Sequence, residues 1–169
     1  MGQTARETDD IADDFRFLSA PAHPMTARLV AYWHEKCQGR PRPERSDIVP
    51  RDILQLLPNT VIYDVLDGGA DFRVRVFGTA LVELVGEERT GMRVSEFGGR
   101  CNPPTNADAV RRRWMNSMSM CYETGAPAYV TGLMSSSRRS FITFHGVSCP
   151  LGNENGKPAH MFGLMVPEL

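Results

Sequence analysis

Between Asp71 and Gly91 the chain changes its period within two residues, and that change restricts the fold more than any other stretch. Phe72, Val74 and Val76 alternate with Arg73 and Arg75, the period of two that marks a strand with one covered face. At Gly78-Thr79 the alternation stops, and Leu81, Val82, Leu84 and Val85 follow at helical spacing. Gly78 permits a sharp turn, and Thr79 is placed to cap the first amides of a short helix. Gly86 is placed to end that helix. The remainder of the chain reads as what packs around this corner.

Ahead of the corner, Ile11, Phe15 and Leu18 stand at spacings of four and three, which predicts an amphipathic helix. Residues 1–24 therefore read as a helical extension, partly flexible, broken by Pro21 and Pro24. A second helix is expected over Met25 to Cys37, with Leu29, Tyr32, Trp33 and Lys36 on one side. In the loop Gly39 to Arg45, prolines and Glu44 interleave the arginines without a glycine cradle, so it reads as solvated and not as a phosphate site. Pro50 suits the first turn of a short helix that Pro58 closes. Val61 to Leu66 reads as a strand, and the turn Asp67 to Ala70 makes it a hairpin with the Asp71 strand.

Beyond the corner, short helical pieces run to about Phe97. Asn106 or Asp108 caps a longer helix to about Glu123, ended by Gly125. Val110, Trp114, Met118 and Cys121 form its apolar stripe, with Arg111 to Arg113 largely on other sides. Three strands close the chain, over Ala128 to Met134, Phe141 to Cys149 and Ala159 to Val166, the last two joined through Asn155-Gly156. This order predicts an α+β domain over residues 25–169, with helices on one face of an antiparallel sheet.

Net charge of -1 gives no general attraction to nucleic acid or anionic membrane, and neither partner is expected. No apolar run approaches the roughly 18 residues of a membrane span, and the acidic N-terminus is wrong for a secretory signal. Cys37, Cys101, Cys121 and Cys149 form no C-x-x-C pair, so they read as reduced thiols of a cytoplasmic protein. His23, His34 and His160 have no helix-spaced partner, and no metal site is expected.

Several short pieces, in their order and spacing, resemble a group of short single-domain bacterial PAS proteins typical of alphaproteobacteria. They are Tyr32-Trp33, Arg45-Ser-Asp-Ile-Val-Pro50, Leu56-Leu-Pro58, Asp64-Val65, Phe72-Arg-Val-Arg75 with Gly78-Thr79, then Gly86, Thr90-Gly91, and Cys149-Pro-Leu151 with Gly156. The resemblance spans about Leu29 to the C-terminus. It implies a five-stranded antiparallel sheet, with short helices and one longer helix roofing a concave face, plus N-terminal helices. It also implies a cavity fit for a small molecule and a sensory or scaffolding role in place of catalysis.

The resemblance leaves the cofactor unknown. A covalent flavin needs a cysteine in an Asn-Cys-Arg-Phe-Leu type of sequence, and Gly99-Arg-Cys-Asn-Pro103 reverses that order. A haem of this family takes its histidine from the longer helix or nearby, and Asn106 to Glu123 contains none. Neither group is expected. Met115, Met118, Met120, Met134, Met161 and Met165 crowd the second half, and methionine suits an adaptable pocket, an adaptable interface or a plain core. The expected pocket lining is Phe77, Phe97, Trp114 and Met118, with Thr131 and His145 as the polar groups that orient a ligand.

The leading functional expectation is a sensory or regulatory module that acts through protein–protein interaction or dimerisation, with a small apolar ligand as an option. With the last strand ending near Val166 and the chain at Leu169, no output domain is expected here, so a signal must leave through a signalling partner protein or a change of assembly. Phe15, Leu18, Leu29, Tyr32 and Trp33 are the expected anchors of a homodimer across the exposed sheet face. The alternative is a small enzyme on a cone-like α+β fold acting on an apolar substrate. No G-x-S-x-G elbow, P-loop or G-x-G-x-x-G is present to support it. A nucleotide-messenger receptor would draw on Arg42, Arg45 or Arg111 to Arg113, yet no arginine-based messenger motif is seen.

Overall fold

A computed structural model describes residues 14–102, 105–135 and 141–168. Six strands form one antiparallel sheet: β1 (Arg16–Leu18), β2 (Thr60–Leu66), β3 (Asp71–Phe77), β4 (Ala128–Leu133), β5 (Thr143–Leu151) and β6 (His160–Pro167). Their order across the sheet is β1-β4-β5-β6-β2-β3. The two halves of the chain thus meet where β6 pairs with β2, Ile62 opposite Phe162.

β1 is one strand more than the five expected. Arg16, Phe17 and Leu18 pair with Thr131, Val130 and Tyr129, so these residues are not a helix. The physical reason is a free edge on β4, which offers the backbone a ladder that a short isolated helix cannot match. Ile11, the first residue of the helical spacing, lies outside the described residues.

The corner keeps its outline and changes its cause. β3 ends at Phe77, and a helix, α2 in the order below, runs over Thr79–Val85. Gly78 itself occupies the N-cap, with no side-chain cap bond, so Thr79 is the first helical residue and not the cap. Gly78 is required by close approach: an added Cβ would stand 2.2 Å from the Pro58 carbonyl oxygen. Its backbone conformation, φ -63, is open to any residue. Gly86 ends the helix in the left-handed conformation at φ 72. The hairpin between β5 and β6 also exists, but its left-handed residues are Gly152 and Asn153, with the turn closed by the Gly156 amide to Asn153.

Among the described residues, three α-helices cover both faces of the sheet. α1 (Pro24–Cys37) lies on one face and packs Leu29, Val30, Trp33 and Cys37 against Ile62, Val147, Cys149, Leu151, Phe162 and Leu164. α2 (Thr79–Val85) and α3 (Ala107–Thr124) roof the other face over Val61, Tyr63, Phe72, Val130, Phe144, Met161 and Met165. Alternate residues of each strand feed the two cores. On β6, Met161 and Met165 serve the roofed core while Phe162, Leu164 and Val166 serve the other.

This second layer corrects the interface expectation. Leu29 is fully buried and Trp33 donates its indole N–H to the Pro150 carbonyl oxygen at 2.8 Å, so both are core residues. Tyr32 is half-buried and spends its hydroxyl on the Asp52 carboxylate at 3.0 Å and on accepting the Val49 amide at 3.0 Å. Phe15 is half-buried against the roofed core, edge-on to Trp114. The physical reason is that the sheet face they were to share with a partner is apolar, and α1 is the nearest apolar surface able to cover it. Leu18 is half-buried and Phe17 is 40% exposed, both on the edge strand β1.

Candidate functional site

The roofed interior is assembled from three segments. α3 starts at Asn106, whose side-chain oxygen accepts the Ala109 amide, and ends at Gly125 with φ 64. Its stripe of Val110, Met118 and Cys121 is buried, and Trp114 lies half-buried between them. The loop after α2 brings in Glu87 and Arg89, and the turn Val94–Glu96 sets Phe97 beneath them.

Among the described residues, two cavities of about 20 Å³ each lie under the roof. Arg89, Trp114 and Met165 line both, which makes them the partition. The first adds Cys101, Thr105, Arg113, Ser135 and Phe144; the second adds Tyr63, Phe77, Leu81 and Met118. A void of that size holds about one water, well short of the roughly 300 Å³ at which ligand pockets begin.

Charge is buried in the partition. Arg89 and Glu87 are 3% and 4% exposed and joined by Nε to Oε1 at 2.8 Å. The Glu87 carboxylate also accepts the amides of Gly98 at 2.9 Å and Arg100 at 2.8 Å. Burial alone would raise the Glu87 carboxyl, but the Gly98 amide, the Arg89 guanidinium and the Arg100 amide outweigh it and hold it below the usual carboxylate range. The Arg89 guanidinium lies 4.2 Å from the centre of the Phe97 ring. Burial pushes the Tyr63 phenol up to about 12, against a smaller opposing pull from Arg89. Burial also raises the Cys101 thiol, partly offset by the charge of Arg89.

Of the expected lining residues, Phe77, Trp114 and Met118 meet at these cavities. Phe97 stands behind Arg89 as its stacking platform. Thr131 and His145 do not join them. They are direct cross-strand partners and point to the α1 side, because their neighbours Val130 and Phe144 point to the roof. Thr131 donates its hydroxyl to the Phe144 carbonyl oxygen at 2.8 Å, and the His145 ring sits against that of His23.

Glu87, Arg89 and Arg113 were not foreseen as interior groups. Arg113 is 5% exposed, donates to the Leu133 carbonyl oxygen at 2.6 Å and lies over the Phe15 ring. Burial lowers its pKa, with Asp14 opposing. A signal for it existed: Arg113 follows Val110 by three and precedes Ser117 by four, which puts it on the buried stripe. No such spacing marks Glu87 and Arg89. Among the described residues, no group of three or more His, Cys, Asp or Glu is placed to hold a metal ion, and no helix is long and apolar enough to cross a membrane.

An antiparallel sheet roofed by short helices and one long helix over a small interior defines an α+β module. The chain belongs to the PAS domain family, whose model matches residues 21–166. No curated protein matches it. Among solved structures it is similar to an RNA-binding light-oxygen-voltage receptor, at 12% identity and a TM-score of 0.48. That match covers 72% of this chain and 33% of the receptor chain, so this chain spans about a third of it.

Proposed function

We propose that the protein is a regulatory PAS module that signals by protein–protein contact, first of all by pairing with a second copy along β1, and that it catalyses no reaction. The observation that carries this reading is the edge. Among the described residues, β1 has a neighbour on one side only, and an open edge is a template for another strand. It presents Phe17 at 40% exposure beside the half-buried Leu18. Leu29 and Trp33, being in the core, take no part in it.

The interior supports the same reading. An enzyme for apolar substrates needs ionisable groups facing a substrate-sized void. Here His145 faces the opposite side of the sheet, the roofed cavities are about 20 Å³ each, and the groove of about 470 Å³ lined by His23 and Glu83 is an open surface furrow and not an enclosed site. A small apolar ligand enters only by displacing the partition of Trp114 and Met165, which would couple binding to the packing of α3. The buried, unpaired thiols of Cys37, Cys121 and Cys149 fit a reducing compartment, the cytoplasm.

The test is the mass in solution of the full chain and of the double variant Phe17→Asp/Leu18→Asp, measured by light scattering. The dimer is expected to become a monomer with an unchanged circular dichroism spectrum. A wild-type monomer, or a variant that stays dimeric, refutes pairing along β1.

A further inference from the structure

Two strands in from β1, where α1 begins, two histidines meet. His23 precedes Pro24 and caps α1 with its ring: Nδ1 accepts the Met25 amide at 3.1 Å. His145 stands on β5 with its ring centre 5.8 Å from that of His23. The two residues are 7% and 8% exposed. His145 Nε2 lies 3.4 Å from the Glu168 carboxylate. The remaining nitrogens, His23 Nε2 and His145 Nδ1, are buried without a hydrogen-bond partner.

The hydrogen bonds dictate the protons. A ring nitrogen that accepts an amide carries none, so neutral His23 is protonated at Nε2. Glu168 favours the proton on His145 Nε2, which leaves Nδ1 as a bare lone pair. The buried faces are then a donor on His23 and an acceptor on His145. This neutral arrangement is self-consistent. Adding a proton to His23 puts it on Nδ1, the atom that caps the helix, and the cap is lost. The nearby His145 ring, 5.8 Å away, also disfavours a charge on His23.

We propose that His23 and His145 form a proton-operated clasp: neutral, the pair seats the first turn of α1 on the sheet, and in mild acid it lets that turn go. The chain would then sense pH at this site with no ligand under the roof, independently of pairing along β1. The surroundings agree. Among the described residues, the charged groups facing the pair are Glu168, beside His145, and Glu83 of α2, across an open groove of about 470 Å³ that His23 lines. From β4 the pair is faced by the neutral Thr131, and one strand further out Arg16 of β1, paired with Asp14, stands opposite Thr131 on the same face. Burial, then the nearby His145, lower the His23 pKa, with Glu168 opposing. The sign follows. Between that lowered value and 6.5 the undocked helix start binds more protons than the docked one, so docking is complete above the window and lost as pH falls through it.

The experiment is hydrogen exchange of the α1 amides in the full chain from pH 7.5 to 5.5, corrected for the intrinsic pH dependence, with ¹⁵N spectra of the histidine rings. Exchange from the first turns of α1 is expected to rise about tenfold, the scale of a lost helix cap. His23→Asn supplies a capping side chain that does not titrate, and its profile is expected to be flat. His145→Gln removes the second ring and is expected to move the wild-type midpoint to higher pH. The ring spectra of the wild type, which need no variant to fold, are expected to show both histidines protonated at Nε2 at pH 7.5. A flat wild-type profile, an unchanged rise in His23→Asn, an unmoved midpoint in His145→Gln, or His23 protonated at Nδ1 overturns the clasp.

Discussion

The two faces of one sheet are packed on different principles. Toward α1 the core is built from Leu29, Trp33, Ile62, Leu151, Phe162 and Leu164, and its titratable rings, His23 and His145, lie where the helix starts. Toward α3 the core is built with Met118, Met134, Met161 and Met165, contains small voids, and buries an ion pair in its middle. Shape-specific aliphatic packing yields a fixed layer, whereas methionine adapts to a changing neighbour. The difference assigns the adaptable interior to the roof and the holding surface to α1.

The comparison breaks first at Glu87. Replacing it with Ala leaves the Arg89 guanidinium buried without its carboxylate, and about 3–5 kcal/mol of stability is expected to be lost. Chemical denaturation reads this directly; a loss under about 1 kcal/mol would mean the partition relaxes enough to let water in. An effect of the same size belongs to the α1 face. Trp33→Ala is expected to cost about 3–5 kcal/mol in the same assay with the oligomeric mass unchanged, because Trp33 is core and not interface. A change of mass without a change of stability would reverse that assignment.

Smaller changes sharpen the contrast. Met118→Leu, under the roof, is expected to cost less than about 1.5 kcal/mol, since the adjoining cavity absorbs the change of shape. The faces also differ in acid. The Glu87 carboxyl is held below its ordinary 4.5, so its contribution is full above that value and is lost as pH falls through the lowered one. The roofed amides are therefore expected to stay protected from exchange where the start of α1 has already opened. Simultaneous opening of both faces would show that the sheet does not separate them.

Much of this was legible in the sequence. The alternation of Phe72, Val74 and Val76 and the breaks at Gly78 and Gly86 located the corner, and the Val110 stripe located α3. What escaped depends on partners far along the chain. Gly78 is needed because Pro58 comes close, a fact that no local rule contains. Phe15 and Leu18 have helical spacing, but the free edge of β4 claims the backbone between them. Thr131 and His145 share a face, and which face follows only from the side taken by Val130 and Phe144. Glu87 and Arg89 look like solvated turn residues until Phe97 and the amides of Gly98 and Arg100 close over them.

Native mass spectrometry of the protein as purified, with its absorption spectrum, tests most directly whether this module works by contact and not by turnover. The expected result is twice the 18.8 kDa chain, carrying nothing heavier than water and absorbing only as its tryptophans and tyrosines do. A single chain, or a chain that holds an organic molecule or chromophore, would contradict it.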